Sequence, residues 1–256
     1  MPDPAVTGGS GGTIVLDSSG GTGGALAIAP GTGGSASPAD VPEESDAGAG
    51  GAGVDLELGA GDLTMLVIFD KSGSMADGWD QRSKWQVANE AFLKAIDGVL
   101  DNLTIGAIFF PIPGDCVVES LDSGVQMDFK PGRTFKSVWE ETAATRVPNG
   151  ATPLELAMQT ADLAIDQALE LGLLEDRFRV VLVTDGEPTC NDDPARMVAL
   201  ASEWHELGVE TWVMGIPGSA GATTLLDSIA NAGGTEHHQS LGTPEALDDG
   251  LYHAAR

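Results

Sequence analysis

Four stretches of this chain are apolar almost without interruption and are the length of single strands: LTMLVIFD (63–70), LTIGAIFFP (103–111), FRVVLVTDG (178–186) and VETWVMGIP (209–217). A half-exposed strand alternates apolar and polar residues, whereas a strand buried on both faces does not. Helical stretches lie between them. Residues 83–100 place Trp85, Ala88, Phe92, Ala95, Ile96 and Val99 on one helical face. Pro153 suits the first turn of a helix running to about Leu171, with Ala157, Ala161, Ala164 and Ala168 as a close-packing stripe. Asp193 reads as the N-cap of a helix over Pro194–Leu207. TTLLDSIANAGGT closes a helix on Gly233 and Gly234, and Pro244 opens the last one. The 117–148 region reads as a short strand near Val125–Phe129 and a helix near Arg133–Thr145, and EHHQSL as a final short strand. Strands that alternate with helices need right-handed crossovers, and so a mostly parallel sheet with helices on both faces. In such sheets ligands bind outside the carboxyl ends of the strands.

Residues 1–55 have a different composition. They hold GGSGGT, GGTGG and GTGGS, together with Pro and acidic residues, and no Lys or Arg precedes Lys71. A segment of this kind cannot bury enough apolar surface to offset its ordering entropy, and it is expected to be a disordered tether. The whole chain has 12 basic and 39 acidic residues, a formal charge of -27. That balance argues against nucleic acid and anionic membrane surfaces, and it favours cations. No apolar run approaches the ~18 residues of a membrane span. The first residues lack the basic and apolar regions of a signal peptide. Either the protein is cytosolic, or the given start lies downstream of a removed signal or anchor.

Hard oxygen donors gather where the buried strands end. The first run stops at Asp70 and continues as Asp70-Lys71-Ser72-Gly73-Ser74. Thr152 stands in NGATPL, before a helix, and Asp185 ends the third run. Carboxylates, hydroxyls and water suit Mg²⁺, Mn²⁺ or Ca²⁺ rather than zinc. Ser72 and Ser74, two apart on a tight turn, can aim both hydroxyls at one point. Taken alone, the serines and aspartate also fit a turn with caps. The joint order of the three segments favours a site.

In DKSGSM, GATPL, LVTDGEPT and IANAGGT the chain resembles the von Willebrand factor type A domain, in its bacterial secreted or lipoprotein forms, over about residues 60–256. That family carries a metal-ion-dependent adhesion site (MIDAS) of pattern D-x-S-x-S…T…D. The resemblance implies a Rossmann-like six-stranded sheet of order 3-2-1-4-5-6. It implies that Ser72 and Ser74 ligate a metal, Mg²⁺ first among the candidates, through their hydroxyls. Thr152 would ligate directly or through water, while Asp70 and Asp185 act mostly through water. An acidic side chain of a protein partner would complete the coordination. In the sheet order of the family, Cys116 and Cys190 fall at one rim on strands flanking the first. A disulfide there would clamp two loops around the site and place the protein outside the cytoplasm.

Other residues are read around that frame. Trp79, just after the motif, is a candidate for the site rim, as is Glu187; Asp192 reads as acidic surface. The other tryptophans read as core. His237 and His238 point to opposite faces of a strand and read as a solvated edge rather than a second metal site. The expected function is a cation-dependent protein-binding or adhesion module, not an enzyme. Two alternatives stay open. One is a Mg²⁺-dependent phosphoryl-transfer hydrolase, disfavoured because Ser72 stands where a second carboxylate is needed and no histidine accompanies the motif. The other is an intracellular module serving an ATPase or chelatase, disfavoured by the tether and the cysteine pair.

Overall fold

The computed structural model describes residues 63–111, 116, 127–174 and 177–256. The chain divides into two units, Met1–Gly53 and Val54–Arg256, and every described residue belongs to the second. The expected tether over 1–55 lies outside the described residues.

The four apolar runs become β1 (Leu63–Asp70), β4 (Leu103–Phe110), β6 (Arg177–Thr184) and β7 (Val209–Gly215). With β5 (Met127–Pro131) and β8 (Gln239–Ser240) they form one sheet in the order β5-β4-β1-β6-β7-β8. A two-strand hairpin, β2 (Gly78–Trp79) and β3 (Arg82–Ser83), stands apart from it. With that hairpin left out of the numbering, the sheet runs 3-2-1-4-5-6. Neighbours pair in parallel except β5, which runs antiparallel to β4 at the edge.

Every residue of β1 and β4 is buried, because helices cover both faces. Alternate residues of β1 serve different cores. Met65, Val67 and Phe69 face α1 (Lys84–Asp97), α2 (Gly132–Thr145) and α6 (Pro244–Ala254). Leu66 and Ile68 face α3 (Leu154–Glu170), α4 (Pro194–Glu206) and α5 (Thr223–Ala232). The first core is aromatic. Phe69 meets Trp85 and Trp139 edge-on with ring centroids 5.4 Å apart, and the Trp139 indole N–H donates to Asn89 Oδ1 at 3.1 Å. The second core is close-packed. Ala157, Ala161, Ala164 and Ala168 are all fully buried, so α3 lies near the sheet.

Local side-chain and glycine signals set the helix ends. Ser83 and Gln86 form a reciprocal capping box at α1. The Asp193 side chain accepts from Ala195 N at α4, and Gly233 closes α5 with Gly234 at positive φ. Among the described residues no helix is long and apolar enough to cross a membrane.

Candidate metal centre

The parallel register decides what meets at the upper rim. Phe69 pairs with Val183, so Thr184 lies beside Asp70, and Asp185 follows it. Asp70 is fully buried, and both of its carboxylate oxygens accept hydrogen bonds. Oδ1 takes the Ser72 backbone N–H and Oδ2 the Thr184 hydroxyl, each at 2.7 Å. The chain after Asp70 then turns through a 3-10 segment, Gly73–Ala76. Ser72 Oγ and Ser74 Oγ stand 3.1 Å apart, and the Ser74 hydroxyl donates to Asp185 Oδ1 at 2.7 Å.

The Thr152 loop is tied to both neighbours. Gly73 N donates to the Gly150 carbonyl at 2.9 Å, and a Cβ on Gly73 would sit 3.3 Å from that same oxygen. Asn149 N donates to the Lys71 carbonyl at 2.9 Å. On the other side, Thr152 N donates to Thr189 Oγ1 at 2.8 Å and Thr189 N to the Thr152 carbonyl at 3.2 Å. Asp70, Ser72, Thr152 and Asp185 are buried; Ser74 is half-buried.

The donor set fits a small hard cation. The Ser72 and Ser74 hydroxyls, 3.1 Å apart, match the edge, about 3 Å, of an octahedron with ~2.1 Å bonds. Among the described residues no three His, Cys, Asp or Glu side chains gather as a metal cluster, so hydroxyls have to carry such a site. The two carboxylates crowd one another. Burial, and after it the charge of Asp185, push the Asp70 carboxyl up to about 6, against the lowering effect of the Thr184 and Ser72 hydrogen bonds.

Cys116 and Cys190 form a disulfide with Cα atoms 5.7 Å apart. Cys190 belongs to the loop that carries Thr189, so the bridge fastens this loop to residue 116.

Three readings of the surroundings change. Trp79 is not an exposed aromatic at the rim. It is 9% exposed, packs in the aromatic core and donates its indole N–H to the Gly242 carbonyl at 3.3 Å. The cause is the β2–β3 hairpin, whose two-residue turn at Asp80 and Gln81 has positive φ at both positions and folds the indole inward. His238 is not on a solvated edge: only 5% of its side chain is exposed, and Nδ1 lies 2.7 Å from Asp227 Oδ1 on α5. Its neighbour His237 does face solvent, and both histidines precede β8 rather than lie in it. Asp192 is half-buried rather than surface; burial raises its carboxyl, and backbone N–H groups of Leu154 and Glu155 oppose that rise. Glu187 is exposed on the loop after Asp185, with its side chain against Gly221.

Lys84 escaped the reading of the sequence. It opens α1, is buried, and places Nζ 2.7 Å from Asp185 Oδ2. A signal existed. Lys84, Ala88, Ala91 and Ala95 follow helical spacing on the buried side of α1. A lysine on an otherwise apolar helix face needs a partner.

No family model matches the sequence, and no curated protein matches it. Solved structures do match in fold. A von Willebrand factor type A protein from Catenulispora acidiphila is 21% identical with a TM-score of 0.58, over 76% of this chain and 42% of that one. The pilus adhesin SpaC of Lactobacillus rhamnosus GG is 15% identical with a TM-score of 0.57, over 77% of this chain and 30% of that one. Proximal thread matrix protein 1 of the mussel byssus, solved with zinc in its MIDAS motif, is 17% identical with a TM-score of 0.56, over 77% and 46%. This chain therefore spans less than half the length of each of these proteins. The shared architecture is the von Willebrand factor type A fold.

Proposed function

We propose that this chain is a divalent-cation-dependent protein-binding module of adhesive type, working outside the cytoplasm. One observation carries the proposal: Ser72, Ser74 and Asp185 bring oxygens within hydrogen-bonding distance of one another at the rim where the fold presents ligands. Ser72 and Ser74 would hold the ion through their hydroxyls, with Thr152 beside them. Asp70 and Asp185 would orient water and serine from behind, since their oxygens already accept hydrogen bonds from protein groups. Mg²⁺ fits the donor set, with Mn²⁺ or Ca²⁺ as substitutes. The bound ion supplies a positive centre to which a partner's carboxylate can attach. Ser74, less buried than Ser72, marks the side from which that carboxylate arrives.

Several features support this reading over the others. Asp70 is fully enclosed, with both oxygens engaged, which suits a positioning group and not a nucleophile. The disulfide favours an oxidising compartment over an intracellular assembly role. The fold is shared with a pilus adhesin and a byssal matrix protein.

The test is thermal unfolding with Mg²⁺ or Mn²⁺ against EDTA, for wild type and the double variant Ser72→Ala/Ser74→Ala. Wild type should gain stability with metal and the double variant should not. The companion experiment is a pull-down from cell-envelope extract, in which capture should need metal and both serines. A wild type whose melting is the same in Mg²⁺, Mn²⁺ and EDTA refutes the proposal.

A further inference from the structure

Lys84 is placed against two costs. It is a buried cation, and it sits in the first turn of α1, where the helix dipole already presents positive charge. The fold holds it there all the same. The turn of the β2–β3 hairpin delivers the chain to Ser83, the capping box fixes the helix start, and the Lys84 backbone N–H donates to the Asp77 carbonyl at 2.9 Å. Gly218, at φ +118, roofs the ammonium: a Cβ there would sit 3.0 Å from Nζ. The ammonium grips Asp185 Oδ2 at 2.7 Å while Ser74 holds Oδ1. Asp77 is a distant second partner, 3.9 Å away with its carboxylate largely in solvent.

The charges at the rim then follow. Counting only the two carboxylates and the ammonium bonded to Asp185, Asp70 and Asp185 supply two negative charges and Lys84 one positive. A divalent ion added to the carboxylates alone gives a neutral centre. With Lys84 in place, the same ion leaves one positive charge in excess beside the buried Asp185 carboxylate.

We propose that Lys84 is the specificity-determining residue of this centre: its ammonium, clamped on Asp185, keeps the bare ion weakly held and makes an anionic oxygen ligand the group that completes the site. The inference rests on the metal-binding reading above and adds a coupling to it. Metal and carboxylate favour each other's binding, because the ligand's charge cancels the excess that Lys84 creates. In the metal-free protein the same ammonium serves as a tethered counter-ion for Asp185.

The experiment is Mn²⁺ titration by calorimetry, with melting in EDTA, on wild type, Lys84→Met and Lys84→Arg. Lys84→Met keeps the apolar stem and loses the charge. It should bind Mn²⁺ at least about tenfold more tightly than wild type, because the ammonium on Asp185 no longer opposes the ion. In EDTA it should melt below wild type, and Mn²⁺ should restore it. Lys84→Arg should keep an affinity close to wild type. Acetate, the simplest carboxylate, should tighten Mn²⁺ binding to wild type more than to Lys84→Met.

Equal or weaker Mn²⁺ binding by Lys84→Met, beside a wild type that binds, overturns this inference and leaves the metal-binding proposal standing. An equal acetate effect on the two proteins does the same. A Lys84→Met protein that stays unfolded even with Mn²⁺ also overturns it, since the ion then fails to replace the ammonium. Absence of Mn²⁺ binding by wild type overturns both.

Discussion

At the scale of single residues, the rim stores electrostatic cost. Asp70 titrates near 6 in the folded protein, against 3.8 for an ordinary aspartate, chiefly because it is buried. The folded state therefore holds this proton more tightly than the unfolded chain does. Stability should fall as pH rises from about 4 to about 6, and the loss should be complete above that. Measured in EDTA, the difference between wild type and Asp70→Asn should show this step, with the variant gaining on wild type across the interval. A difference that stays constant between pH 4 and pH 7 rules the account out. Gly218 is the second sensitive residue. Its φ is +118, and a Cβ would run into the Asp185 carbonyl and crowd Lys84. Gly218→Ala should cost about 2 kcal/mol in urea unfolding; a cost within 0.5 kcal/mol of zero, the ordinary surface range, contradicts it. What the sequence allowed at this scale is uneven. Oxygen donors declared themselves by spacing, since Ser72 and Ser74 share one turn. Trp79, His238 and Lys84 did not, because each acquires its environment from another element: Trp79 from Gly242, His238 from Asp227 on α5 and Lys84 from Asp185.

Secondary elements were more legible, for a physical reason. Strands buried on both faces must be continuously apolar, so β1, β4, β6 and β7 stood out. Helix starts carried their own side-chain caps at Ser83, Asp193 and Thr243. The hairpin β2–β3 was missed because each strand has two residues, too short for any periodicity. The bridge between Cys116 and Cys190 joins positions 74 residues apart in sequence. Its main effect is on the unfolded chain, which loses the freedom of a long loop. Replacing both cysteines by serine should lower stability by about 4 kcal/mol on the chain-entropy model. Reduced wild type should melt like the double variant. A reduced protein that melts with the oxidised one would show that the bridge contributes nothing.

At the scale of the molecule, the formal charge of -27 is a property of the sum and of no one site. Like charges repel across the surface, and salt screens them. Melting in EDTA should therefore rise as KCl goes from low to physiological strength, apart from any specific ion. A melting point that falls over that range would mean that favourable ion pairs outweigh the repulsion. The sheet order could be read at this scale only through the resemblance: crossovers and burial indicate a parallel sheet, but they do not say which strand lies in the middle. That strand is β1, and its place has a mechanical consequence. It begins at Leu63 on one side of the molecule, ends at Asp70 on the other, and is hydrogen-bonded in parallel along its length to β4 and β6. Tension applied between a partner held at the rim and the chain leading into Leu63 runs along the axis of β1. The covalent backbone of β1 then carries the force directly from Ser72 and Ser74 to Leu63, while the ladders to β4 and β6 keep the strand seated in the sheet. The strand that carries the candidate site is thus also the one best placed to bear a pull.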